Sequence, residues 1–255
     1  MSGTDHTVTA FDTELRDLTV CVVQMGGLTE HLFVDAISAL RRSDPTEAVA
    51  IIERDERVDA LEAETSATAV ALIARRQPVA RDLREIVGAL KTATDLERVG
   101  DLAKNIAKRV LVIHQEAVPP RLMGGIEHLS EIALLQLKNV LDAYARRDAD
   151  AARRVWSGDE TLDATYTSIF RELLTYMMED PRNITACTHL LFAAKNIERI
   201  GDHSTNIAET VHYMVTGSTI TEPRPKGDTS STRQQGNVTI IRGVSDLPSL
   251  PGDAS

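Results

Sequence analysis

The chain has 255 residues, enough to bury a substantial core as one large domain or two small ones. Its 38 Asp and Glu outweigh 28 Lys and Arg, and the net charge of −10 argues against a nucleic-acid binder that relies on phosphate neutralisation. The amino-terminal stretch MSGTDHTVTA lacks the basic residues of a signal peptide, and no run approaches the roughly 18 apolar residues of a membrane span, so a cytoplasmic protein is expected. Two cysteines, Cys21 and Cys187, lie far apart within apolar helical patterns and read as buried reduced thiols.

From residue 10 to residue 215 the pattern is helical. Ala, Leu, Glu and Arg dominate, and apolar residues recur at three- and four-residue spacing, as in Leu18, Val22, Met25, Leu28 and Leu32, then Ile51, Val58 and Leu61. The breaks are legible. RRSDPTEA sets Asp44 as an N-cap with Pro45 just inside the next helix, and EDPRNITA does the same with Asp180 and Pro181. RRQPVARD interrupts at Pro78, and EAVPPRLMGG breaks the middle of the chain. Six helices are expected, over 10–42, 46–76, 79–115, 122–147, 149–179 and 181–216. From Gly217 the chain turns rich in Pro, Gly, Ser and Thr and reads as a disordered tail over 217–255. Within it VTIIRGV is a short apolar run, either a docking segment or without significance.

The third and sixth helices carry near copies of one stretch. DLERVGDLAKNIA begins at Asp95 and NIERIGDHSTNIA at Asn196, an offset of 101 residues (198 − 97) between Glu97 and Glu198. The second and fifth helices agree as well: RDERVDALE from Arg54 aligns with GDETLDATY from Gly158, and the helix break at Arg41 matches that at Arg146. The fold class expected is therefore all-α: two tandem three-helix bundles from an internal duplication, one over 10–117 and one over 122–216.

Glu97 and Asp101 stand four residues apart and share a helix face, with Asn105 one turn on; the copy supplies Glu198, Asp202 and Asn206. The neighbouring helices add Asp55 with Asp59 and Asp159 with Asp163 at the same spacing. Like charges so placed destabilise a helix by a few tenths of a kcal/mol unless something compensates. Either arginine does so, Arg98, Arg199, Arg54 and Arg57 being near, or a cation bound between helices does, since clustered carboxylates suit hard and borderline metals. Gly100 and Gly201 interrupt their helices at a cost of about 1 kcal/mol each relative to Ala and imply close approach of a backbone or a ligand. A ferritin-like di-iron oxidase would need two Glu-x-x-His motifs, but Glu209–His212 is matched in the first repeat by KRVL from Lys108. His203 has Leu102 as its counterpart and reads as a satisfied or solvent-facing histidine; His31, His114, His128 and His189 show no ligand pairing; Trp156 reads as core. The cluster Arg75, Arg76, Arg81 and Arg84 is either a solvated turn or a second contact surface. No phosphate-binding glycine loop, serine elbow or Cys-His constellation is present.

The doubled E-R-[VI]-G-D-x3-N-I-A stretch with a D-E-x2-D second helix resembles the PhoU family from about Phe11 to Val215. The resemblance implies a non-enzymatic, cytoplasmic, often dimeric negative regulator of phosphate uptake. Such proteins bridge the ATPase-bearing phosphate ABC transporter and a membrane sensor histidine kinase, reaching the membrane only through those partners. It also implies iron, zinc or another divalent cation on the carboxylates, here Asp55, Asp59, Glu97 and Asp101 in the first repeat and Asp159, Asp163, Glu198 and Asp202 in the second. Asn196 replaces Asp95 in the second copy, so the two sites need not bind equally. A ferritin-like oxidase and an accessory subunit of a low-affinity phosphate permease are the alternatives.

Overall fold

The computed structural model describes residues 3–116 and 118–222. Among these every long element is an α-helix: α1 Gly3–Arg42, α2 Pro45–Arg76, α3 Ala80–Ile113, α4 Pro120–Arg146, α5 Ala149–Ser157, α6 Asp159–Glu179 and α7 Ile184–Thr216. The punctuation works as its residues dictate. Asp44 Oδ1 accepts from the amides of Thr46 and Glu47 at 3.0 and 3.1 Å, with Pro45 where a missing N–H costs nothing. Asp148 repeats the device one repeat later, its Oδ1 accepting from Ala151 N at 2.8 Å. The residue before each cap, Ser43 and Arg147, turns the chain in the left-handed region with φ of 50° and 52°. The two loops thus match in backbone as well as in sequence.

Several boundaries differ from expectation. The first helix begins at Gly3, upstream of residue 10. The helix expected over 149–179 is broken at Gly158, whose φ of −85° and ψ of 0° let its amide bond tightly back to Val155 O at 3.1 Å. Pro181–Asn183 forms a 3-10 turn, so Asp180 caps that turn and α7 starts at Ile184. The tail expected to be disordered from Gly217 is placed as far as Glu222: Gly217 ends α7 at φ 76°, the Ser218 amide donates to Thr216 Oγ1 at 3.1 Å, and Ile220 packs on the core. VTIIRGV lies outside the described residues.

Helices α1, α2 and α3 make one bundle, and α4, α5–α6 and α7 the other. They share one continuous core, in which Met25, Phe33, Ile51, Leu96, Ile126 and Leu137 are all buried. Two seams join them: α3 lies along α7, and α1 along α4. At the first seam Asp95 meets His203 while Arg109 stacks over Phe192 at 5.0 Å, so the two motif helices run antiparallel. Within residues 11–42 one 18-residue window reaches a mean hydropathy of 1.3, which meets the length and composition of a membrane-crossing helix. Their apolar stripe faces the core, however: Leu18, Val22, Met25 and Leu32 are each at most 2% exposed. Cys21 sits one residue off that stripe and is only half-buried, whereas Cys187 is buried; both are free.

Candidate functional site

In the first repeat α2 presents Asp55 and Asp59 beside Glu97 and Asp101 of α3. Asp55 is 2% exposed, Asp59 lies in the open, and Glu97 and Asp101 are half-buried. Compensation comes first from a residue the sequence reading passed over. The Lys104 ammonium, one turn beyond Asp101, bonds to Asp55 Oδ2 and to Asp101 Oδ1, the latter at 2.6 Å. Arg98 adds weaker contacts to Glu97 at 3.3 Å and to Asp101 at 3.5 Å, as anticipated. Arg54 does not join them: its guanidinium turns away to Asp35 at 2.8 Å and Glu47 at 2.9 Å. Burial raises the Asp55 pKa above the usual carboxylate range, with Lys104 pulling against it. Glu97 is raised too, by burial and then by the charge of Asp101, with Arg98 opposing. Burial works to lower the Lys104 pKa, but its hydrogen bonds to Asp101 and Asp55 outweigh it and hold the group above the ordinary lysine value.

The mid-helix glycine now has a cause. A Cβ on Gly100 would lie 2.8 Å from Asp55 Oδ1, closer than side-chain carbons come, so the glycine makes the space in which Asp55 is held against α3. Gly201 has the same purpose on α7, where a Cβ would meet Leu162 Cδ2 of α6 at 2.0 Å and Gln136 Oε1 of α4 at 2.9 Å.

The second repeat is more deeply buried and differently balanced. Asp159, Asp163 and Glu198 are 1%, 4% and 5% exposed, while Asp202 is half-buried. Thr205 stands where the first repeat has Lys104, and its hydroxyl reaches Asp159 Oδ1 at 3.3 Å while donating to Gly201 O at 3.1 Å. The cation comes from one turn upstream instead: Lys195 Nζ binds Glu198 Oε1 at 2.8 Å and rests 4.9 Å from the centre of the Tyr166 ring. Glu198 Oε2 remains buried without a hydrogen-bond partner, and burial raises the Glu198 pKa, with Lys195 opposing. The lysine difference was visible in the two copied stretches, LAKNIA against HSTNIA, but only the helix packing shows that it matters.

The seam between the two faces is polar at one point. Asp95 Oδ1 accepts from His203 Nδ1 at 2.9 Å and from Asn206 Nδ2 at 3.4 Å, so of the two readings of His203, satisfied or solvent-facing, the first holds. Trp156 is buried as expected, and its Nε1 donates to Glu209 Oε1 at 3.0 Å. Of the arginines near Pro78, Arg75 and Arg76 pair with Glu14 and Arg81 with Glu85, while Arg84 Nε is buried without a hydrogen-bond partner.

Comparison with known proteins settles the ancestry of this arrangement. The PhoU domain model matches residues 22–110 and again 126–211, once on each repeat. The chain belongs to the PhoU family. A phosphate-specific transport system accessory protein PhoU homolog from Rhizobium meliloti is 55% identical over 227 residues, covering 89% of this chain and 96% of the relative. A homolog of the same description from Caulobacter vibrioides is 51% identical over 228 residues, covering 89% of this chain and 99% of its own. Among solved structures, PhoU from Pseudomonas aeruginosa superposes with a TM-score of 0.79 at 40% identity, over 82% of this chain and all of that one. The phosphate transport system regulatory protein PhoU from Streptococcus pneumoniae gives 0.77 at 28% identity, over 82% and 99%.

Whether these PhoU carboxylates suit a metal is a question of donors. Among the described residues no three His, Cys, Asp or Glu side chains converge closely enough to hold an ion. In the first repeat the Lys104 ammonium already lies between Asp55 and Asp101, where a cation would sit. Each repeat holds one buried carboxylate oxygen without a hydrogen-bond partner, Asp55 Oδ1 and Glu198 Oε2, but the second repeat offers the better donor set, with three buried carboxylates and the half-buried Asp202.

Proposed function

We propose that this chain is a non-enzymatic accessory protein of phosphate transport and a negative regulator of phosphate uptake and of the phosphate-starvation response. It acts in the cytoplasm as an adaptor, as a homodimer, between the ATPase subunit of a phosphate ABC transporter and a membrane sensor histidine kinase. The observation that carries this reading is the near end-to-end match to relatives described as accessory proteins of the phosphate-specific transport system. The carboxylates that reach solvent, Asp59, Glu97 and Asp101 in the first repeat and Asp202 in the second, give the adaptor its docking surface. A divalent cation, iron or zinc among them, would be held by Asp159, Asp163, Glu198 and Asp202 after those side chains draw together, and would supply positive charge at the docking face. In the first repeat the partly exposed Asp59, Glu97 and Asp101 form the face, and a metal would first have to displace Lys104.

The ferritin-like alternative loses its remaining support in the use made of its single motif. Glu209 accepts from Trp156, and His212 Nδ1 faces the Ser218 carbonyl at 3.0 Å, so both are structural. A permease subunit is disfavoured by the two full repeats. The test is direct binding of the purified full chain to the purified transporter ATPase subunit and to the cytoplasmic part of the kinase. Binding to both, weakened at least tenfold by Glu97→Ala with Asp101→Ala, is the expected result; binding to neither overturns the reading.

A further inference from the structure

The two repeats differ at one place that the transport role does not explain. In the first repeat the groove between α1 and α2 is filled from within: Arg54 lies across it, bonded to Asp35 of α1 and to Glu47 of α2. The matching caps Asp44 and Asp148 set the register between repeats at 104 residues (148 − 44). At that register all three members of the plug are replaced together: Arg54 by Gly158, Asp35 by Asn139 and Glu47 by Ala151. The result is an open groove of about 570 Å³ between α4 and α5, lined by those same three replacements and by Ile132, Leu135 and Val155. Leu135 stands 60% exposed on its wall. One repeat carries its own stopper, and the other has lost the stopper and both residues that held it.

We propose that this groove is filled by the chain's own carboxy-terminal segment 237–244, NVTIIRGV, with Ile240 and Ile241 on the apolar wall. Three observations select this occupant. The chain beyond α7 returns as far as α5, the helix that forms one wall: the Ser218 carbonyl is held by His212 and Thr216, Ile220 packs on the core, and Glu222 pairs with Arg153 on the side of α5 away from the groove. Residues 223–236 then give a tether that spans up to about 46–50 Å when extended, several times the width of a helix. Residues 223–255 are otherwise mostly polar or Pro- and Gly-rich, so 238–244 is the stretch with concentrated apolar area to bury. The groove lining carries Asp142 and Asp148 beside Arg146 and Arg154, with Asp142 paired to Arg146, so its apolar wall and not its charge selects the segment. A tethered segment needs little intrinsic affinity, since its effective concentration is of millimolar order. The PhoU domain match ends at residue 211, so the stopper would be an addition of this chain to the family fold.

The test uses the full chain with Cys21→Ser and the buried Cys187 left in place. Leu135→Cys with Ile241→Cys should close an intramolecular disulfide under mild oxidation at least tenfold faster than Val70→Cys with Ile241→Cys, Val70 being 61% exposed on α2. Gly158→Arg should abolish that advantage by refilling the groove; its backbone lies in the ordinary helical region, and a Cβ there meets nothing nearer than 3.4 Å. Amide exchange in residues 135–158 of the otherwise native full chain should also speed up when Ile240→Asp and Ile241→Asp are introduced. Equal crosslinking at Leu135 and Val70, crosslinks only between molecules, or exchange that ignores the isoleucine changes would each overturn the proposal.

Discussion

Lys104→Met is the most informative single change in the first repeat. It removes the ammonium that bridges Asp55 and Asp101 and keeps most of the aliphatic stem. Breaking a fully buried ion pair by deleting one partner costs about 3–5 kcal/mol. Here only Asp55 is fully buried, while Lys104 and Asp101 side chains keep 20% and 29% of their exposure, so about 2–3 kcal/mol is the expected loss at pH 7. For a chain of this size that lowers Tm by about 5–10 °C. Two pH signatures distinguish this from lost packing. The folded-state pKa of Asp55 is raised, so its ionised form costs stability above that value, and the cost is relieved as pH falls; the deficit of Lys104→Met should shrink between pH 7 and pH 5. The Lys104 pKa is raised from 10.5, so its contribution is complete below that value and lost above it; the deficit should shrink in alkali as well. Urea melts of wild type, Lys104→Met, Asp55→Asn and the double variant supply the assay, with a coupling of about 1–2 kcal/mol expected. A pH-independent deficit, or energies additive within about 0.5 kcal/mol, would refute the claim that Lys104 is the resident cation of this face.

Three further outcomes follow from the same geometry. Gly100→Ala gains helix propensity of about 1 kcal/mol but drives a methyl into Asp55, so net destabilisation of about 1 kcal/mol is expected; Gly201→Ala, which strikes the buried Leu162, should cost about 2–3 kcal/mol, both read by chemical denaturation. Glu198→Gln should raise stability at neutral pH, because burial raises the folded-state pKa of Glu198 and its charge is a cost above that value; the gain should vanish as pH falls toward 4.5, and a loss at pH 7 contradicts the assignment. His203→Leu, which installs the first-repeat residue, should cost about 1 kcal/mol through loss of the bond to Asp95, and the Asp95→Asn, His203→Leu double variant should be less than additive.

Much of this was legible from the residues because helices advertise themselves. Three- and four-residue periodicity and Asp-Pro caps located the elements, and the copied stretches gave the two repeats. Periodicity, however, says that a face is buried and not what buries it, so the antiparallel seam between α3 and α7 could not be read. Gly158 aligned with a mid-helix arginine and so looked helical; the tight turn it permits is set by packing of α5 and α6 against α4 and α7. The carboxylates were found by their four-residue spacing within one helix. Lys104 was missed because its principal partner, Asp55, lies on another helix, and Arg54 was misassigned for the same reason: the direction of a long side chain is fixed by its neighbours in space.

The central claim is that the carboxylate faces are the working surfaces of a phosphate-responsive adaptor. It is tested most directly by replacing the chromosomal copy with Glu97→Ala, Asp101→Ala, Glu198→Ala and Asp202→Ala together. A phosphate-starvation promoter is then read in cells grown at high phosphate, with helicity checked on the purified variant. A fully helical protein that fails to repress is expected; full repression by that variant would show that the carboxylates are not the working surface.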